Sequence, residues 1–75
     1  MPEIPRITGK EAKRAFEKAG FAVVRVSGSH HIMKKAGHPN RLSIPIHAGQ
    51  TIGKGLLNSQ IEAAGLTVEK FLSLL

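Results

Sequence analysis

Cysteine, aspartate, tryptophan and tyrosine are all missing from this chain, and each absence removes a class of chemistry. Without cysteine there is neither a disulfide framework nor a thiolate zinc site to supplement the core. Without aspartate a magnesium-dependent nuclease is disfavoured, because such sites are usually anchored by carboxylates. The five acidic residues are all glutamates, and they fall in the N-terminal tail or in predicted helices. Phe16, Phe21 and Phe71 are the whole aromatic complement and all fit core positions, which leaves no stacking platform for single-stranded bases. No apolar run approaches the roughly 20 residues of a membrane span. The N-terminal stretch "MPEIPRITGKEAKR" also lacks the apolar segment of a secretory signal. The expectation is a soluble, cytoplasmic protein.

What is present is one small domain, residues 1–75, with a strong excess of positive charge. A chain of 75 residues buries only about 60% of its unfolded surface and has room for a single core. The net charge is +6, and residues 10 to 54 carry nine Lys and Arg against Glu11 and Glu17. Such a concentration is an electrostatic footprint for a polyanion, nucleic acid being the commonest. A plain solvated surface is the alternative.

Local signals predict the elements. In "ITGKEAKRAFEKAGF" Thr8 and Glu11 form a capping box, Ala12, Ala15, Phe16 and Ala19 share a helical face, and Gly20-Phe21 supplies a glycine stop. Phe21 to Val26 reads as a strand, "SGS" as a turn, and "HHIMKKA" as a second strand. After the turn "GHPN", in which His38 reads as solvated loop, "RLSIPIH" alternates Leu42, Ile44 and Ile46 with Ser43, Pro45 and His47. Pro45 places this third strand at an edge. A glycine-rich loop leads into "LLNSQIEAAG", stopped by Gly65-Leu66, and Thr67 caps a short last helix. The fold class is α+β: an α-β-β-β-α order with a three-stranded antiparallel sheet, helices on one face, and a short C-terminal helix.

The open sheet face is where a function would sit. If Ile32 points into the core, period two sends His30 inward with it and turns Ser29, His31, Met33 and Lys35 outward. His30 is then structural and His31 exposed beside basic residues. An exposed imidazole titrates near neutrality, so it can take the proton of a ribose 2′-hydroxyl or give one to a leaving 5′-oxygen. Nearby Lys and Arg would hold the phosphate. The histidines make a poor zinc set, since His30 and His31 face opposite ways and no metal-ligand spacing is present. "GQTIGKG" is one residue short of a Walker A loop and has Gly55 where Ser or Thr should bind magnesium. It reads as a loop into a helix N-terminus, with loose phosphate contact as its functional alternative.

The combination of Gly28-Ser29-x-His31, Pro45-x-His47 and the Lys54-Gly55 lead-in to the next helix, within "GSHHIM" and "IPIHAGQTIGKGLLNSQIEAAGLTVEKFL", resembles the HicA-type toxins of HicA-HicB toxin-antitoxin systems. The likeness runs from "KAGF" to "GLTVEKFL". It implies an mRNA interferase with a double-stranded-RNA-binding-domain-like fold that cleaves RNA without metal or cofactor and is held inactive by a HicB-type antitoxin. The family's catalytic histidine maps onto His31. Beside it, His47 is a candidate acid or phosphate ligand with a purely structural role as the alternative, and Ser29 either orients His31 or, the favoured reading, shapes the turn. Gly55 is followed by Leu56 where many members have Gly-Thr-Leu, which bears on capping of that helix. Lys34, Lys35 and Arg25 are the expected phosphate contacts, with Lys54 a further one. The competing readings are a non-catalytic double-stranded-RNA-binding module on the same basic face, and an interaction protein docking an acidic partner.

Overall fold

The computed structural model describes residues 3–75. Its elements are α1 (Gly9–Lys18), β1 (Ala22–Ser27), β2 (His30–Lys34), β3 (Leu42–Pro45), α2 (Lys54–Ala63) and α3 (Val68–Ser73). The strands form an antiparallel sheet in the order β1-β2-β3, the α+β, double-stranded-RNA-binding-domain-like arrangement expected from the sequence.

Local chemistry sets the helix ends. The Thr8 hydroxyl accepts from the Glu11 amide at 3.2 Å, and the Glu11 carboxylate accepts from the Thr8 amide at 3.1 Å, so the capping box is complete. At the other end Gly20 adopts φ 103°. The Gly20 amide donates to the Glu17 carbonyl and the Phe21 amide to the Phe16 carbonyl, which closes a Schellman motif. The Phe16 and Phe21 rings then meet edge-on, 6.3 Å between centroids. The stop recurs in α2, where Gly65 has φ 74° and Leu66 donates to Ile61.

The helices cover one sheet face. Phe16, Met33, Leu42, Ile44, Leu57, Ile61 and Phe71 are fully buried between the two layers, and each such side chain stabilises the fold by about 1.5–3 kcal/mol relative to exposure. Gly9 lies so close to β3 that a Cβ there would overlap the Pro45 carbonyl oxygen and press on Ile46. This contact draws the first turn of α1 onto the end of the sheet. The outer edge of β3 is closed by α2, because the Ser43 amide donates to the Gln60 side-chain carbonyl at 3.0 Å. β1 forms the other edge, with a bulge between Val23 and Arg25.

Strand parity is the reverse of that expected. Met33, not Ile32, is the buried residue of the apolar pair, so His31 shares the helix-covered face while His30, Ile32 and Lys34 occupy the open one. The register decides this. Ser27 pairs with His30 across a two-residue turn in which Gly28 takes φ 60°, and Met33 pairs with Leu42 and His31 with Ile44, both core residues of β3. Hydropathy gives Ile32 and Met33 equal claims on the core. The turn and the β3 partners settle which one enters.

Candidate active site

His31 is half-buried on β2, at the end of the sheet that α1 approaches. Its Nδ1 lies 3.1 Å from the Ser29 main-chain oxygen. A carbonyl can only accept, so Nδ1 carries the hydrogen and the neutral ring presents its free lone pair at Nε2. The same carbonyl accepts the Ile46 amide at 2.9 Å, which ties the hairpin turn, the histidine and the end of β3 into one unit. Ser29 thus orients the ring through its backbone; its hydroxyl makes no hydrogen bond among the described residues.

An open groove of about 630 Å³ runs beside the ring, lined by His31, Lys10, Lys13, Glu17, Val23 and Ile46. Lys13 pairs with Glu17 at 3.3 Å, a one-turn helix pair of small energetic weight. Lys10 forms no ion pair among the described residues. The groove therefore holds an oriented imidazole, one uncommitted ammonium and a second ammonium that a phosphate could draw from its carboxylate.

The expected phosphate contacts do not gather around His31. Arg25 stands opposite Ile32 on the open face. Lys34 is also on that side, at the far end of β2, and Lys35 reaches back to place its Nζ 5.9 Å from the Phe21 ring centroid. Lys54 lies at the start of α2 beside Arg6 and Thr51. The reversed parity puts Arg25 and Lys34 on the other face from the imidazole, the length of β2 carries Lys35 away from it, and Lys54 belongs to a different element, α2. His47 is exposed after β3 and does not line the groove, although its neighbour Ile46 does. His30, expected inside, is exposed, with Nδ1 3.3 Å from the Ser43 hydroxyl.

Sequence reasoning passed over Lys10 and Lys13. The available signal was the capping box, which fixes where α1 begins, together with a glycine directly after the cap. Gly9 is where the first turn of α1 meets the β3 backbone and Lys10 is carried to the same place, but the glycine alone does not mark such a contact, since Gly55 in the first turn of α2 has open space around it. His38 was also misread. Its Nε2–H donates to the Ala63 carbonyl at 2.7 Å and its ring meets Phe21 edge-on at 5.3 Å, so it braces the fold rather than lying in solvent.

Among the described residues no group of three His or Glu side chains is placed to hold a metal ion, and no helix is long and apolar enough to cross a membrane. The comparison with curated proteins finds no match. A family model described as the HicA toxin of bacterial toxin-antitoxin systems matches residues 9–66, a span that takes in α1, the whole sheet, the His31 groove and α2. The chain belongs to the HicA toxin family and is the toxin member of a toxin-antitoxin pair.

Proposed function

We propose that this toxin is an endoribonuclease that cleaves mRNA without a metal ion, with His31 as the proton-transfer group. The observation that carries the reading is the half-buried imidazole that lines a cationic groove, its Nδ1–H held by the Ser29 carbonyl and its Nε2 without a hydrogen-bond partner among the described residues. Nε2 takes the proton of a ribose 2′-hydroxyl as its oxygen attacks the adjacent phosphorus. The bond from phosphorus to the 5′-oxygen breaks, that oxygen takes a proton from water in the open groove, the resulting hydroxide takes back the proton held at Nε2, and a 2′,3′-cyclic phosphate, a 5′-hydroxyl and the neutral imidazole result. Lys10 and Lys13 offset the charge that builds on the phosphoryl oxygens. The attacking group belongs to the substrate, so no protein nucleophile is required.

His47 stays outside this transfer, since it does not line the groove. The partner that restrains the toxin is a HicB-type antitoxin, and covering the groove would be sufficient for inhibition. A non-catalytic double-stranded-RNA-binding module of the same fold would bind RNA with strong salt dependence and yield no products.

The decisive comparison is wild type against His31→Ala, with and without antitoxin, scored by growth arrest and by cleavage of purified RNA. The substitution should lower the cleavage rate by about 10² to 10⁴, the usual worth of a positioned acid or base. Equal toxicity and equal cleavage from both would exclude His31. Cleavage abolished by a chelator would overturn the metal-free step.

A further inference from the structure

At the opposite end of β2 from His31, Lys34, Lys35 and Arg41 line one recess with His38, Pro39 and Asn40. No acidic residue lines it, and none of the three cations forms an ion pair among the described residues. Like charges crowded without a counter-charge repel one another. The fold nevertheless holds them together firmly. His38 and Asn40 both donate to the Ala63 carbonyl, at 2.7 and 3.3 Å, and the His38 amide closes the turn on the Lys35 carbonyl at 3.0 Å. The turn between β2 and β3 is thereby pinned to the C-terminal end of α2, and the recess keeps its shape without a ligand.

We propose that this recess is a second phosphate-holding site, which grips the RNA backbone away from the bond that is cut. The proposal rests on the ribonuclease reading and extends it. Three to four strand residues separate the recess from His31, roughly 10–13 Å at 3.3 Å per residue, so one RNA strand can reach both sites only if it is several nucleotides long. The consequence is a substrate-length requirement: short oligonucleotides fill the groove alone, and longer RNA is held at two points. Lys34 and Arg41 are the principal contacts. Lys35 is partly committed to the Phe21 ring.

The test uses the double variant Lys34→Ala, Arg41→Ala, whose two side chains are exposed, on a dinucleotide and on an RNA of about 20 nucleotides, with salt-dependent binding of the long RNA in parallel. KM for the long RNA should rise roughly 3- to 30-fold, as for the loss of two exposed ion pairs. Its kcat and the kinetics on the dinucleotide should not change. The slope of log affinity against log salt should shrink by about 1.4–1.8, or 0.7–0.9 for each phosphate released. Unchanged KM on the long RNA, or an equal loss on both substrates, would overturn the second site and leave the ribonuclease reading intact. RNA binding that weakens in the variant of a protein cleaving neither substrate would do the reverse. A variant that loses affinity for the antitoxin but not for RNA would make the recess a protein-docking surface and end the proposal.

Discussion

Four histidines in one small chain have four different positions, and the difference is made by what each ring nitrogen meets. His31 Nδ1 faces a carbonyl that orients it, and the side chain lines a groove. His38 gives its Nε2–H to the last turn of α2 and its ring edge to Phe21. His30 leans on the Ser43 hydroxyl at the open face, and His47 lies in an exposed loop. Replacing His38 by Ala removes the shorter of the two hydrogen bonds to the part-buried Ala63 carbonyl, leaving that from Asn40, and should cost about 0.5–1.5 kcal/mol. In a domain of this size that lowers the melting temperature by about 4–8 °C per kcal/mol, as measured by thermal denaturation, while cleavage well below the transition persists. His31→Ala should give the opposite pattern, with stability within about 1 kcal/mol of wild type and cleavage lost.

At the level of elements, the most legible parts of the sequence were those whose cause is local. Thr8 with Glu11, and the two Ala-Gly-apolar stops at Gly20 and Gly65, each settle a helix end within six residues, and they read directly. The three strands and the edge position of β3 were equally clear. The faces of β2 were not. Ile32 and Met33 are adjacent and apolar, and the choice between them rests on partners in β3 about ten residues further on. That one inversion moved the groove from the open face to the helix-covered face, and with it the identity of the cations beside His31. His38 reads as solvated loop for the same reason, because its partner Ala63 is 25 residues away. The motif around Gly28-Ser29-x-His31 singled out a residue without needing its face.

Two glycines test the packing of these elements in opposite directions. Gly9→Ala forces α1 away from the Pro45 carbonyl and should destabilise by about 1–3 kcal/mol, as overpacking does. It should also reduce RNA cleavage, since Lys10 moves with the helix. Gly55 lies in the first turn of α2 with open space where a Cβ would be. Gly55→Ala should therefore stabilise by up to about 1 kcal/mol. Thermal melts of the two variants, which differ from wild type by the same single methyl group, would check both signs.

On the scale of the whole molecule, the net charge of +6 is spread over separate places: the groove, the recess at the far end of β2, and the start of α2 beside Arg6. If Lys10, Lys13, Lys34 and Arg41 each engage a phosphate, the slope of log affinity against log salt for a long RNA should be about −2.8 to −3.6, at 0.7–0.9 per contact. A titration giving a slope nearer −1 to −2 would mean that the groove acts alone. The two edges of the sheet bear on a different hazard. Gln60 occupies the outermost donor of β3, and the bulge at Val24 bends β1 in the strand that exposes Val24 and Val26. Neither margin offers a straight, unpaired ladder to a neighbouring molecule. Both devices work against edge-to-edge pairing between two copies of the chain, the hazard that rises with the concentration of free toxin.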